Sequence, residues 1–494
     1  MSSTSLPSSL PPAPRPVDAD TARRLRDAAA RAEFDGQIFR YLGVIGSPGW
    51  RASMREKWPK MVTFDCGTLV RLFIVRDPVP ETIAAGAVGG GEVLTALVKS
   101  GILVGESGGM VRCPFQLTPA AGVLVLSDAI DDPASANPPD DYVIPVSGAA
   151  RGVDDLTPRE PCDLVIDLAC GQGFHALRSM THAKRCIATD INARALDFAR
   201  ANASLLGASD RIDIRQGSFF EPVADVVGKV DLLTCNPPFV MQPGAHITSA
   251  VSPTEGDGMV EGLVRGLPRM LREGAWGVMS GLWENAEPRD WSARVREWLA
   301  EAGCDALVLQ FQTYLPEEYL TAWFPPEVRV GIEPGWRALC EKRRIGAVTY
   351  GAVIVRKRAG QNWLATLSTP IFARTGAAGE QIKAYFASQT AMQNMWGPVD
   401  LLDRKLRFAA GWRFDPAQGT PKSTPLGVSR GLALPVPNQA RWEPVLTAFD
   451  GGATARETLA QIRASGRLNV QPDHPETAAM LQGMVQSGCL DILS

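Results

Sequence analysis

The 494-residue chain has no C-x-x-C pair, no apolar run near the roughly 18 residues of a membrane span, and a formal net charge of only −3. Each absence removes a class of protein. The nine cysteines are scattered and odd in number, which excludes a disulfide framework and a cysteine zinc site and reads as reduced cytosolic thiols. His175, His182 and His246 do not stand at a metal-ligand spacing, so no metal is expected. The near-zero charge supplies no global pull toward nucleic acid, although a local basic patch stays open. Met1 to Pro16 is rich in Ser and Pro without an apolar signal core, which argues against export and for a cytoplasmic protein off the membrane. The apolar share of 45% is ample for real cores, and the length implies two or three domains.

Residues 1–17 read as a disordered tail, because Ser and Pro supply nothing to bury. A mainly helical region covers 18–127. Asp18 or Asp20 caps a helix through Ala30, a second helical stretch runs through Phe39, Tyr41 and Leu42, and Leu69–Ile74 continues the apolar pattern. Val93, Leu94, Leu97 and Val98 repeat at helical spacing, and Gly108-Gly109 then separates two short apolar runs that suit a hairpin. Helices followed by a hairpin suggest a winged-helix-like module. Residues 128–160 form a linker dense in Asp, Pro, Ala and Gly, with Tyr142–Val146 as a short strand inside it. From Asp163 short apolar runs alternate with amphipathic helices, the pattern of an α/β sheet, with strands at 163–168, 185–190, 211–216, 230–235, 275–281, 304–311 and 347–356. Asn192 and Gly207 bracket the helix Ala193–Leu206 as cap and stop. This domain extends over 161–360. The remainder, 361–494, reads as a smaller α+β domain, with strands in Leu401–Phe414 and Leu426–Val436, helices at Ala453–Ser465 and Pro475–Ser487, and a closing strand at Leu490–Ile492. A faint echo of 97–103 in 484–490 leaves room for a second winged-helix-like module, and chance similarity of two helix ends explains it equally well.

Asp167-Leu168-Ala169-Cys170-Gly171-Gln172-Gly173 follows a buried strand and opens a helix. Glycines there let the backbone approach a ligand, and the helix start presents unpaired N–H groups. Asp190, about 20 positions on at the end of the second strand, suits the two ribose hydroxyls of a nucleoside. The turn alone leaves a pyrophosphate site open, since Ala176 is tolerable as the third small residue of a dinucleotide motif. The fourth strand narrows the choice. It ends in Asn236-Pro237-Pro238-Phe239, where two locked φ angles freeze the Asn236 side chain and the Pro237 carbonyl as a pair of acceptors. Such a pair fits a planar NH₂ group, and Phe239 offers a ring face against it. A plain proline turn at a strand end is the alternative.

The stretch from Asp163 to Met279 resembles class I methyltransferases that use S-adenosylmethionine, of the methyltransferase small domain type found in release-factor glutamine methyltransferases and ribosomal guanine-N2 methyltransferases. The match runs through Asp167–Gly173, Asp190, Gln216–Phe219, Asn236–Phe239 and Gly256–Gly258. It implies a Rossmann-like sheet of seven strands, mostly parallel with an antiparallel last pair, between the helical N-terminal and α+β C-terminal domains. It also implies S-adenosyl-L-methionine along Asp167, Ala169, Gly171, Gly173, Asp190, Ile191, Ser218, Phe219 and Asn236, with S-adenosyl-L-homocysteine as product. Gly171 and Gly173 approach the methionine part, Asp190 holds the ribose, Ile191 and Phe219 flank adenine, and Asn236 orients the acceptor nitrogen beside Pro237 and Phe239. Ser218 departs from the usual Asp at the adenine amine, which bears on affinity.

The remaining features are weaker. Val146 lies on the expected approach strand, His246 follows the tetrapeptide closely enough to assist proton removal, and Tyr314 opens an aromatic insertion, Thr313–Arg344, readable as a lid over the acceptor or as a packed helical excursion. Lys342–Arg344 and Arg356–Arg358 are short basic runs, readable as phosphate contacts or, more commonly, as solvated strand ends. Gly105-Glu106-Ser107-Gly108-Gly109 spells a serine-hydrolase elbow but lies between hairpin strands. Three readings follow. The first is N-methylation of a planar nitrogen in a protein glutamine or RNA base, with the flanking modules docking the large substrate. The second is methylation of a small metabolite, with the N-terminal module as pocket wall or homodimer interface. The third is a catalytically idle scaffold that keeps the cofactor fold.

Overall fold

The structure, a computed structural model, describes residues 10–36, 64–129, 139–243, 251–369, 377–409, 412–414, 426–428, 443–466 and 471–493. The helical stretch expected through Phe39 to Leu42, His246 and most of Leu426–Val436 lie outside the described residues. The chain forms two compact units. The first gathers Met1–Arg151, Pro161–Arg272 and Pro316–Ile345, and the second gathers Gly152–Glu160, Glu273–Leu315 and Gly346–Ser494.

The first unit begins earlier than composition suggests. The Arg15 amide donates to the Ser100 carbonyl at 2.8 Å and the Val17 amide to Ser204 Oγ at 3.0 Å, so the end of the expected tail borrows partners from ordered elements. Asp18 caps the helix Ala19–Arg31, its Oδ1 accepting the Thr21 N–H at 2.9 Å, a bond worth about 1 kcal/mol. The helix Phe64–Val70 runs into a π-helical turn, Arg71–Val75. Helices Glu81–Val88 and Gly91–Lys99 meet at Gly89, where φ is +104° and a Cβ would lie 2.8 Å from the Arg24 carbonyl oxygen. Strands β1 (Val79–Pro80), β2 (Val104–Glu106) and β3 (Met110–Arg112) form an antiparallel sheet in the order β1-β3-β2. Ser107 therefore sits at a hairpin tip and not at a strand-to-helix elbow. A second hairpin joins β4 (Gln116–Ala120) to β5 (Val123–Ser127).

Leu25, Phe73, Leu97 and Phe115 share one core with Phe198 and Leu205 of the helix Ala193–Leu206, and the Phe115 and Phe198 rings meet edge to face at 5.2 Å. The expected strand at Tyr142–Val146 is absent. Val143 instead trades bonds with one residue, donating to Asp128 Oδ2 at 2.9 Å and accepting from the Asp128 amide at 3.1 Å, while Pro145 has no N–H for a ladder.

Next come β6 (Cys162–Leu168), β7 (Ala183–Asp190), β8 (Ile212–Gln216) and β9 (Val230–Cys235), all parallel, in the order β9-β6-β7-β8. This is the Rossmann-like arrangement. β7 and β8 are laid down on one side of β6 and β9 on the other, so a crevice opens between the C-terminal ends of β6 and β9, where ligands bind in such sheets. The insertion forms two helices, Pro316–Trp323 and Pro326–Arg343.

In the second unit β12 (Ala347–Lys357) lies antiparallel between β10 (Leu271–Asn285) and β11 (Cys304–Tyr314), and an unforeseen β13 (Leu364–Ser368) runs parallel to β11. Further on, β14 (Lys405–Phe408), β15 (Trp412–Phe414), β16 (Leu426–Val428), β17 (Asp450–Thr454) and β18 (Leu490–Ile492) follow. β15 pairs with β16, and the others form a sheet in the order β17-β14-β18. Leu401 and Leu402, expected on a strand, lie in the 3₁₀ helix Pro398–Asp403, which Pro398 initiates. Helices Ala455–Ala464, with a Thr454–Glu457 capping box, and Pro475–Gln486 complete the unit. Among the described residues no single helix is long and apolar enough to cross a membrane, although the bent pair Glu81–Val88 and Gly91–Lys99 passes by length and composition.

Candidate active site

The turn after β6 visits the left-handed region three times in five residues, at Ala169 (φ 53°), Gly171 (φ 54°) and Gly173 (φ 87°). The two glycines serve different ends. A Cβ on Gly173 would press the Ala199 Cβ at 3.3 Å, so its absence lets the turn seat against the helix Ala193–Leu206, whereas a Cβ on Gly171 would meet nothing within 4 Å. Asp167 is fully buried, its Oδ2 accepting the Ala176 N–H at 2.9 Å with His175 Nδ1 3.5 Å from Oδ1. It holds the start of the helix Phe174–Ser179 from a fully enclosed position behind the turn.

Asp190 closes β7. Its Oδ2 accepts the Gly171 N–H at 2.8 Å and its Oδ1 the Asn192 N–H at 2.9 Å, which fixes the carboxylate against the turn and leaves each oxygen further acceptor capacity. Burial raises the Asp190 pKa above the ordinary aspartate value, and the two backbone bonds hold it back. Ile191 beside it is 62% exposed, an apolar side chain left bare at the strand end. The loop after β8 comes to the same end of the sheet, since the Gly217 N–H donates to the Asp190 carbonyl at 3.1 Å. In that loop Ser218 is exposed and Phe219 half-buried with φ 42°.

β9 pairs Cys235 with Leu168 of β6, so Asn236 begins one residue past the last rung, beside the crevice. Asn236 is half-buried, Pro237 buried and Pro238 half-buried. Phe239 is 6% exposed, and its ring meets Trp323 of the insertion edge to face at 5.9 Å. It is half of an aromatic pair. Burial pushes the Cys170 and Cys235 thiols well above their ordinary range, helped by the charges of Asp190 and Asp167, so neither is a thiolate nucleophile.

Val146 is half-buried, two residues past Ile144, whose carbonyl accepts a bond from Gln172 Nε2 at 3.1 Å. Tyr314 ends β11 in the second unit, half-buried and paired with Val348. Two further residues stand out, Asn202, which had no place in the sequence reading, and Tyr319, which was read only as one aromatic of the insertion. Fully buried Asn202 accepts the Leu126 N–H at 2.8 Å and donates to the carbonyls of Leu126 at 2.9 Å and Gln172 at 2.8 Å. Tyr319 bonds the backbone just after the tetrapeptide. An asparagine within an alanine-rich helix was the available signal for the first, because Asn is a poor helix former that needs a reason to be there. Among the described residues no group of three or more His, Cys, Asp or Glu is placed to hold a metal.

Residues 153–252 match the family described as methyltransferase small domain. The release factor glutamine methyltransferase of Cereibacter sphaeroides is 32% identical over 138 residues, covering 25% of this chain and 48% of that protein. The ribosomal protein uL3 glutamine methyltransferase of Bordetella pertussis is 31% identical over 107 residues, covering 20% and 35% respectively. The geranyl diphosphate C-methyltransferase structure from Streptomyces coelicolor covers 41% of this chain and 75% of its own at 17% identity, with a TM-score of 0.26. The chain spans about half or less of the length of these two curated relatives. Together these matches support a class I methyltransferase domain of the kind that uses S-adenosylmethionine in the central segment.

Proposed function

We propose that the chain is an S-adenosylmethionine-dependent N-methyltransferase whose acceptor is a planar nitrogen of a macromolecule, a protein glutamine amide. The observation that carries the reading is Asn236-Pro237, rigid by its prolines, one residue past the β6–β9 pairing and beside the turn that Asp190 braces. The residues fit the cofactor. Gly171 leaves open space where a side chain would stand, both Asp190 oxygens keep acceptor capacity for ribose hydroxyls, and exposed Ile191 offers a flat apolar edge for adenine. S-adenosylmethionine supplies, when bound, a methyl group made electrophilic by its sulfonium.

The protein's part is orientation. An amide nitrogen has its lone pair tied up in resonance, so its attack depends on a fixed plane and on acceptors for its two hydrogens. The Asn236 side-chain carbonyl and the Pro237 main-chain carbonyl supply those acceptors, and they stabilise positive charge developing on nitrogen before its proton passes to solvent. The names of both curated relatives describe methylation of glutamine in a protein, which favours that acceptor over an RNA base.

The test is transfer of tritiated methyl from S-adenosylmethionine into a bacterial lysate separated into protein, RNA and small molecules. The reading expects label in protein, recovered as N-methylglutamine after digestion. Label in RNA would move the acceptor to a base amine, and label among small molecules would favour a metabolite acceptor. No label from a protein that binds S-adenosylhomocysteine would leave a cofactor-binding scaffold.

A further inference from the structure

We propose that Tyr319, in the insertion, is a positioning residue for methyl transfer: its hydroxyl holds the main chain of Met241 and thereby the attitude of Asn236–Phe239. This rests on the function proposed above and adds a residue that the turn and tetrapeptide do not contain. Beyond Cys235 the chain leaves the sheet, and apart from an isolated bridge between Val240 and Val251 the described backbone that follows pairs with no strand. At Met241, itself 1% exposed, both backbone groups are satisfied by one side chain. Tyr319 Oη accepts the Met241 N–H at 2.8 Å and donates to the Met241 carbonyl at 3.2 Å.

The clamp is itself held. Tyr319 is fully buried and its ring stacks on Trp336 at 4.7 Å, with the planes 31° apart. Trp336 Nε1 donates to the Pro316 carbonyl at 2.9 Å, which ties the second insertion helix to the start of the first. One turn along from Tyr319, Trp323 presses Phe239 edge to face. The insertion thus grips the catalytic segment twice, through the hydroxyl at Met241 and through the ring at Phe239, with Asn236 three residues before Phe239. The second helix also reaches past the far end of this stretch, where Lys342 Nζ pairs with Glu255 at 2.8 Å and Arg343 with buried Asp257 at 3.4 Å. An acceptor pair that works by orientation needs such a fixed footing, since a shift of about 1 Å can cost about a hundredfold in rate.

Tyr319→Phe removes the hydroxyl and keeps the ring and its packing. With lysate held constant and S-adenosylmethionine varied, the variant should lose about tenfold to a hundredfold in kcat while KM for the cofactor stays within about threefold. Calorimetry with S-adenosylhomocysteine should give an unchanged Kd, and amide hydrogen exchange over 236–243 should quicken. An undiminished kcat, or a loss matched by an equal loss of S-adenosylhomocysteine affinity, overturns the assignment. If Tyr319→Phe melts below the assay temperature, Trp323→Leu, which releases the ring contact with Phe239 and loosens the one with Tyr319, must produce the same split between kcat and Kd. Native protein in the same assay separates the two failures. An inactive native protein removes the proposed function and this assignment with it, whereas an active one beside a fully active variant removes the positioning role alone.

Discussion

Replacing Asp190 by alanine strikes the group on which cofactor binding turns. Each of its oxygens already takes one backbone N–H, from Gly171 and Asn192, so each has one further place for a ribose hydroxyl. Hydrogen bonds to a charged acceptor contribute about 1.5–3 kcal/mol each, so losing two costs about 3–6 kcal/mol. At about 1.4 kcal/mol per tenfold, Kd for S-adenosylhomocysteine should rise by about two to four orders of magnitude. Calorimetry measures this directly, and Asp190→Asn, which keeps one neutral acceptor, should fall between. A Kd for Asp190→Ala within about threefold of the native value, with an unchanged melting profile, would refute the reasoning. Acidity supplies a second arm. Burial holds the Asp190 pKa above 3.8, and only the carboxylate accepts two hydroxyls, so affinity should be flat near neutrality and fall as the pH drops through that raised value. Asp190→Asn should lose this dependence. For folding the sign is opposite. A folded pKa above the unfolded one means that the native state takes up the proton more readily, so this group's contribution to stability is greatest in acid and is lost as pH rises through the folded value.

Asn236→Ala should retain S-adenosylhomocysteine affinity and lose about 10²–10³ in kcat, the scale of removing one preorganised polar group; undiminished tritium transfer would remove Asn236 from the chemistry. Asn202→Ala strands the Leu126 amide and the carbonyls of Leu126 and Gln172 in a dry interior, at about 1–3 kcal/mol each. It should therefore lower the melting temperature and weaken S-adenosylhomocysteine binding, and a variant native in both would contradict the role given to that side chain. Under native conditions a thiol reagent should label half-buried Cys162 and Cys340 first and reach Cys170 and Cys235 only on unfolding. Peptide mapping that finds either buried thiol among the early products would count against the packing at the crevice.

What could be read in advance follows from how local each signal is. β6 and β9 were legible because their apolar runs end abruptly in residues with one conformational purpose, the Gly171–Gly173 turn and the Asn236–Pro238 stop. The cap of the helix Ala193–Leu206 was legible because Asn192 bonds its own first turn, to the amides of Arg194 and Ala195. β13 carries no such mark. All five of its residues keep some exposure, so neither alternation nor a continuous apolar run betrays it. Tyr142–Val146 misled for the converse reason, since β-branched residues describe a willing strand and say nothing about whether a neighbour is there to pair. Tyr319 was legible as an aromatic of the insertion, but its bond to Met241, 78 residues away, was not, nor were the bonds of Asn202 to Leu126 and Gln172, 76 and 30 residues away. Such distances are set by tertiary packing alone.

The helix Ala193–Leu206 has a practical consequence for anyone wishing to shorten this protein. Its Arg194 forms an ion pair with buried Asp128 at 2.6 Å, and its Phe198 and Leu205 complete the core built by Leu25 and Phe115. A version starting just ahead of β6 would look like a tidy catalytic domain on paper. In water it would bare that greasy flank, leave a guanidinium without its counter-charge, and let Asn202 drop the strand that steadies the glycine turn from behind. Minimal enzymes should be sought by trimming elsewhere.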